Sequence, residues 1–181
     1  MTSRTHEAGA VALMLAGVAF IPIGAVTPAT GIAALFANLI GSLLPDIDQA
    51  SNRLWDMVPG GNLVGRGLRR LFLGHRTLTH SVLGIIIIYK LINWGLPQLF
   101  NQSVINTQIL IYSLMAGFLS HLALDLITED GLPLLFPIKW KFGIPPFKIL
   151  RIKTGGWVEK WIVFPILILL IGWMVIRKWQ G

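Results

Sequence analysis

The chain has 181 residues, of which 54% are hydrophobic and 13% charged, with a formal net charge of +7 and a mean hydropathy of +0.70. This composition excludes an ordinary soluble domain and favours a polytopic membrane protein, with room for about four or five spans of roughly 20 residues each. The absence of cysteine excludes disulfides and thiolate ligands, so any metal must be held by nitrogen and oxygen.

The apolar segments predict an all-α transmembrane bundle that forms a single integral membrane domain over residues 1–181. No clear small-residue cleavage site marks the first segment, so we interpret it as a retained helix rather than a signal peptide. The second is short for a full crossing and ends at Pro45, which suggests that it lies close to the first or partly inside the protein. The predicted spans are 9–26, 29–44, 78–99, 105–127 and 160–177.

Positive charge orients this bundle. The linkers 45–77 and 128–159 are rich in lysine and arginine, whereas the connections near 22–30 and 97–106 contain neither. The positive-inside rule therefore places both linkers and the N-terminus in the cytoplasm, in a bacterial-type inner membrane. The net charge then reflects topology and anionic lipid partners, ahead of nucleic acid. Lys90, near the middle of the third predicted span, must snorkel or pair.

Histidines and aspartates lie at one end of the predicted helices. They precede the first and third spans, follow the second, and occupy the last turns of the fourth, which is the cytoplasmic end in every case. Because the helices of a bundle pack side by side, we predict that these residues meet in a polar metal pocket. The candidate ligands are His6, Asp46, Asp48, His75, His80, His121 and Asp125.

Spacing gives each block a local interpretation. His121 and Asp125 are four residues apart on a helix, so they share one face and can bind one ion; the alternative is a capping or interhelical hydrogen bond. Asp46 and Asp48 point to opposite sides of an extended backbone, so one can ligate while the other orients a histidine. A helix cap or turn is the alternative for this pair.

The third block, around 74–81, adds two histidines and an arginine. If the helix begins near Thr79, His75 belongs to the preceding loop, and both His75 and His80 can face the pocket. Arg76 offers a fork of donors suited to a phosphate, or else a positive anchor at the membrane. His6 alone would be an ordinary solvated histidine, and it gains significance only from the other blocks.

These blocks resemble a known family. A histidine near the N-terminus, then LLPDID, GHRTLTHS, SHLALDLIT and GLPLLFPIKWKF, looks like the YdjM-type family of membrane-bound, metal-dependent hydrolases, over residues 6 to about 147. That family is distantly similar to the helical zinc-dependent phospholipase C and single-strand nuclease superfamily. The resemblance implies an all-helical zinc site. Its ligands would be His6, Asp46 or Asp48, His75 or His80, and His121 with Asp125.

This sequence differs from the family pattern in two respects that bear on the number of metal ions and on their ligands. No histidine follows His121, so one or two ions are expected in place of the three metals of the soluble enzymes. Gln49 and the segment 128–131 stand where relatives often have His and Thr-Pro-x-Gly, and Glu129 or Asp130 is either an extra ligand or general base, or a solvated helix end. Zinc is the expected metal, although nitrogen and carboxylate ligands also admit manganese or iron.

The expected function is hydrolysis of a phosphoester, such as a lipid, at the headgroup level. A bound ion would lower the pKa of water, Asp46 or Asp48 would accept the proton, and Arg76 would stabilise charge on the phosphate. The substrate class rests on analogy and location. The alternatives are a non-catalytic metal-binding sensor or regulator and, less favoured, a transporter component. We also expect residues 132–157 to fold back over the cytoplasmic mouth as a lid or a lipid-docking surface.

Overall fold

A computed structural model of the chain describes residues 1–21, 24–47, 53–56, 78–138 and 140–180. The predicted all-α fold is confirmed, and the described residues form no β-strand beyond two isolated bridges. Short 3₁₀ turns lie at Leu44–Asp46, Leu78–His80 and Lys148–Leu150, and a π-helical turn at Glu159–Val163 leads into the last helix. The α-helices are α1 (Ser3–Phe20), α2 (Pro28–Leu43), α3 (Arg53–Asp56), α4 (Val82–Leu99), α5 (Thr107–Leu126) and α6 (Phe164–Gln180).

Four helical stretches among the described residues are long and apolar enough to cross a membrane. They are Pro28–Asp46, Val82–Leu99, Thr107–Leu126 and Glu159–Arg177. Their bounds lie within a few residues of the last four predicted spans. The chain is therefore a helical membrane protein with at least these candidate spans.

Helix α1 differs in position from the first predicted span, 9–26. It begins at Ser3 and ends at Phe20, and it is absent from the candidate spans found among the described residues. Its first half is buried inside the protein, including the polar residues Thr5 and His6. The apolar segment alone predicted a start that is too late, because a hydropathy rule leaves polar residues out of a membrane span. In the structure these polar residues belong to the first turn of the helix and are buried inside the protein.

Helix α5 is the central helix, in contact with α1, α2 and α4, and 56% of its candidate span is buried inside the protein. Where α5 packs against α2, the backbones of the two helices are in direct contact. A Cβ atom on Gly41 would lie 2.0 Å from the carbonyl oxygen of Leu114, and one on Gly117 would lie 2.0 Å from that of Asn38. Asn38 also donates a hydrogen bond to the carbonyl oxygen of Ser113 (2.9 Å). Small residues thus let these two helices approach closely, as is common in membrane bundles.

Helices α4 and α6 lie at the periphery, since only 6% of each candidate span is buried. Large apolar side chains such as Ile86, Leu91 and Leu169 are exposed there. In a membrane these faces contact lipid, which is as apolar as the side chains. Lys90 is exposed on α4, which fits a side chain that snorkels along the surface.

The segment between α5 and the π-helical turn folds back onto the bundle. Leu132 is 1% exposed and forms an antiparallel bridge with Phe142, and Thr128 pairs in parallel with Ile152. Leu134 accepts a hydrogen bond from the backbone N–H of Val82 (3.0 Å), at the start of α4. The segment is therefore held at the end of the bundle where α5 ends and α4 begins.

Candidate metal centre

Five ionisable side chains from separate parts of the chain meet at this same end of the bundle. His6 comes from the first turns of α1, and Asp46 from the 3₁₀ turn after α2, which contains Pro45. His80 ends the 3₁₀ turn before α4, whose N-cap Ser81 accepts a hydrogen bond from the N–H of Gly84 (3.1 Å). His121 and Asp125 lie in the last turns of α5.

Four ligand atoms form a closed ring. Asp46 Oδ1 lies 3.4 Å from His80 Nε2 and 3.7 Å from His121 Nε2. On the other side, Asp125 Oδ2 lies 3.9 Å from His80 Nε2 and 3.7 Å from His121 Nε2. Zinc held tetrahedrally by nitrogen and oxygen at about 2.0–2.2 Å places its ligands about 3.3–3.6 Å apart. Neighbouring atoms of the ring are thus about as far apart as two ligands of one metal ion, although Asp46 and Asp125 belong to different groups of possible ligands.

His6 approaches the other oxygen of Asp125. Its Nε2 lies 3.3 Å from Asp125 Oδ1, and its ring stacks on that of His121 with centroids 3.7 Å apart and planes inclined by 9°. The amino group of Met1 contacts the same oxygen, Oδ1. The carboxylate of Asp125 therefore faces two clusters of polar atoms, one through each oxygen.

Hydrogen bonds outside the ring orient two of the imidazoles. His121 Nδ1 donates to the carbonyl oxygen of Ser42 (2.7 Å), which fixes the tautomer that leaves Nε2 as an acceptor. His80 Nδ1 forms a hydrogen bond with the hydroxyl of Thr79 (3.0 Å). Each of these two imidazoles therefore points its Nε2 towards the centre of the four ligand atoms, as metal-binding histidines do.

Buried nitrogen atoms that lack a hydrogen-bond partner indicate whether a metal ion fits this site. Nε2 of His121 and Nδ1 of His6 are buried and form no hydrogen bond with any described residue. Buried polar atoms without partners are costly and rare in folded proteins. A divalent cation would satisfy these lone pairs and offset the charges of Asp46 and Asp125. The donor set of imidazole and carboxylate also matches zinc, so the residues present fit a metal ion.

The possible ligand groups overlap. Among the described residues, one group comprises His6, His121 and Asp125 and the other Asp46, His80 and His121, with one ligand atom from each residue within 4.8 Å of the others. Because Nδ1 of His121 is occupied by Ser42, only Nε2 is free to bind, and it can serve one ion at a time. Two ions would have to divide the remaining ligands between them, and Asp125 would offer one oxygen on the His6 side and the other on the side of His80 and His121.

Access to the cluster is restricted. The side chains of His6, His80, His121 and Asp125 are no more than 2% exposed, whereas that of Asp46 is 22% exposed. Of the five clustered side chains, that of Asp46 is therefore the most open to water.

Three predicted site residues, Asp48, His75 and Arg76, lie outside the described residues, as does Lys139 in the predicted lid. Glu129 and Asp130 are described, and neither belongs to a possible ligand group. The other five candidates, Asp46 among them, are brought together. The sequence analysis did not predict the hydrogen bond from His121 to the carbonyl oxygen of Ser42, because every residue has a backbone carbonyl and the sequence does not show which one is used.

Glu159 was also missed by the sequence reasoning. It is 1% exposed and accepts hydrogen bonds from Thr2, Thr5 and Gly155. The available signal was an acidic residue at the end of a mostly basic linker, directly before an apolar span. Charge counting treated that linker only as a positive segment.

Comparison with known proteins identifies relatives along nearly the whole chain. A family model described as YdjM inner membrane protein matches residues 1–180. The protein named "Uncharacterized protein YvsG" of Bacillus subtilis (strain 168) is 29% identical over 163 residues, which cover 90% of this chain and 88% of the relative. "Inner membrane protein YdjM" of Escherichia coli (strain K12) is 30% identical over 68% of this chain and 58% of its own length. No solved structure matches.

Proposed function

Since this chain belongs to the YdjM inner membrane protein family, we propose that it is a membrane-bound, metal-dependent hydrolase of a phosphoester, with its site at the cytoplasmic headgroup level. Its membership in this family, together with the four apolar helices, identifies the chain as an inner membrane protein. Hydrolysis, the metal and the substrate class are the proposal.

One observation carries the proposal: His80, His121, Asp46 and Asp125 close a ring of atoms spaced 3.4–3.9 Å, with His6 against the second oxygen of Asp125. Helical caps or isolated interhelical bonds would not require ligands from four separate elements to converge. The buried nitrogens of His6 and His121 give the arrangement a physical reason, since a cation satisfies them.

A divalent ion held here supplies Lewis-acid activation of water and polarisation of a phosphoryl group. Of the five clustered residues, Asp46 has the most exposed side chain, so we assign it the role of general base that accepts the proton of the attacking water. His121 and Asp125 hold the metal, and the Ser42 carbonyl keeps the imidazole of His121 in the tautomer that can bind.

The location of the cluster supports a lipid phosphoester as substrate. Trp140, Trp157 and Trp161 are exposed in the chain that follows α5 and leads into α6. Lys141 and Lys153 are also exposed there. Exposed tryptophan with lysine is typical of the boundary between membrane and water, where aromatic rings and cations meet headgroups. A site at this end of α5 is within reach of the phosphate of a lipid.

The test is metal content followed by turnover. Purified protein should carry about one or two zinc, manganese or iron ions per chain by plasma mass spectrometry, and the His121→Ala, Asp125→Ala double variant should carry none. Asp130→Ala, at an exposed position outside both ligand groups, is the matched control and should retain the metal. Metal-loaded protein should then release headgroup or phosphate from phospholipid vesicles, and metal-free wild type would reject the hydrolase.

A second candidate is a metal-binding regulator without catalysis. The near-complete burial of four of the five side chains favours it, because structural metal sites are closed and catalytic ones keep an open position. The Asp46→Asn variant separates the two candidates. In a hydrolase it should lose turnover while retaining substantial metal, whereas a regulator would show no phosphoester turnover even as wild type on a panel of lipid and nucleotide esters.

A further inference from the structure

Glu159 forms a buried anionic site beside the metal cluster. Its Oε1 accepts hydrogen bonds from the backbone N–H of Thr2 (2.7 Å), the hydroxyl of Thr2 (2.8 Å) and the hydroxyl of Thr5 (2.7 Å). Its Oε2 accepts one from the N–H of Gly155 (2.6 Å). The carboxylate is therefore satisfied on both oxygens while being 1% exposed. Glu159 belongs to neither possible ligand group.

This contact replaces a local cap on α1. Thr2 is the N-cap of the helix, yet its side chain makes no capping hydrogen bond. In a capping box, the residue three positions on, a glutamate or glutamine, accepts from the N-cap N–H. That position here is Thr5, and the carboxylate instead comes from Glu159, which is 157 residues from Thr2. A negative charge at a helix N-terminus is also favoured by the helix dipole.

The same hydrogen bonds lead directly to His6. The backbone N–H of His6 donates to the carbonyl oxygen of Thr2 (3.1 Å), and Thr2 is held to Glu159 through two atoms. His6 follows Thr5, the third donor to the carboxylate. The height and rotation of the first turn of α1, and thus the position of the His6 ring against Asp125, depend on this attachment.

We propose that Glu159 is a positioning residue for the metal centre: by clamping Thr2 and Thr5, it holds His6 in ligand position from the start of the last span. This inference rests on the proposed metal site and extends it to a residue that does not touch the ion. It also gives the last candidate span, which is mostly peripheral, a role in the centre.

The test is Zn²⁺ affinity in metal-free protein in detergent, measured by titration calorimetry. Glu159→Gln should weaken binding about 10-fold or more, as outer-shell substitutions do. Glu129→Gln, a half-buried glutamate outside both ligand groups, is the matched control and should bind as wild type. In a His6→Ala background, Glu159→Gln should cause no further loss, because its effect passes through His6.

Helix content and size-exclusion profile monitor folding, and Thr5→Val, which removes one donor at nearly constant volume, replaces Glu159→Gln if that variant does not fold. Thr5→Val should also weaken Zn²⁺ binding, and absorption of bound Co²⁺ should change in both variants. Unchanged affinity in folded Glu159→Gln or Thr5→Val overturns the clamp, as does an equal loss in the His6→Ala background. Failure of wild type to bind Zn²⁺ rejects the metal site itself and the clamp with it.

Discussion

The imidazole of His121 joins two helices, since its Nδ1 donates a hydrogen bond of 2.7 Å to the carbonyl oxygen of Ser42 near the end of α2. Its Nε2 is then aimed between Asp46 and Asp125, 3.7 Å from an oxygen of each. The position of this nitrogen depends on the packing of α2 against α5. The centre and the central helix pair are therefore expected to respond together to substitutions.

His121→Ala should reduce Zn²⁺ affinity by more than the about 10- to 100-fold lost on removing an outer-shell partner, because Nε2 of His121 is common to both ligand groups. Titration calorimetry on metal-free protein measures this. The control is Ser120→Ala, which removes a hydroxyl bonded to Gly117 within the same helix. A His121→Ala variant that kept wild-type affinity would show that the ring of ligands does not hold the ion.

His6→Ala and His80→Ala should each weaken metal binding less than His121→Ala, since each leaves one ligand group complete. Metal content after gentle chelation distinguishes one ion from two. With two ions, either variant should retain about one, whereas with a single ion both should show reduced affinity and similar content. Equal, complete loss in all three variants would contradict the overlapping groups.

The sequence predicted the membrane class and the meeting of polar residues because both depend on simple rules. Apolar segments of span length locate the last four spans, and positive charge fixes which helix ends share a side. His6, His80 and His121 lie at ends predicted in this way. Sequence spacing could not show that Asp46 joins the cluster, because this depends on how the 3₁₀ turn after α2 is packed.

Glu159 and the glycine contacts needed the three-dimensional structure. Nothing local in the sequence links Glu159 to Thr2, which lies at the other end of the chain and has no acidic residue at the capping-box position. Gly41 and Gly117 are small residues in apolar helices, a pattern typical of close helix contacts, but their pairing across α2 and α5 is a tertiary fact.

Gly117→Ala should destabilise the protein by about 1–3 kcal/mol, the usual cost of an overpacked core, because the added Cβ would lie 2.0 Å from the carbonyl oxygen of Asn38. To make room for this Cβ, α5 must move away from α2. Because the ligands lie on and next to these two helices, Zn²⁺ affinity should fall as well. Unfolding titration in mixed detergent micelles measures the stability.

Gly95→Ala on α4 is the matched control for this substitution. No described atom outside its own helix neighbourhood lies within 4 Å of the Cβ that it would add, and alanine is the better helix former by about 1 kcal/mol. Gly95→Ala should therefore be neutral or stabilising and leave metal binding unchanged. If both alanine variants behaved alike, the close contact of α2 and α5 would not be a determinant of stability.

Arg151→Ala should loosen the segment that follows α5. The guanidinium of Arg151 donates to the carbonyl oxygens of Gly143 (3.2 Å), Pro145 (2.7 Å) and Pro146 (2.8 Å), so its removal leaves these acceptors without a donor that fixes the turn. Limited proteolysis should cut the 127–158 segment several-fold faster, while metal content stays unchanged because no ligand lies in it.

Lys148→Ala provides the comparison, because Lys148 is an exposed cation nearby with no side-chain bond to these carbonyls among the described residues. If the segment also covers the site, Arg151→Ala should alter turnover of vesicle lipids but not of a short soluble phosphoester, since only the former requires the segment to dock at headgroups. Equal effects on the two substrates would show that the segment acts on the site itself, and faster proteolysis with unchanged turnover of both would limit it to a structural role.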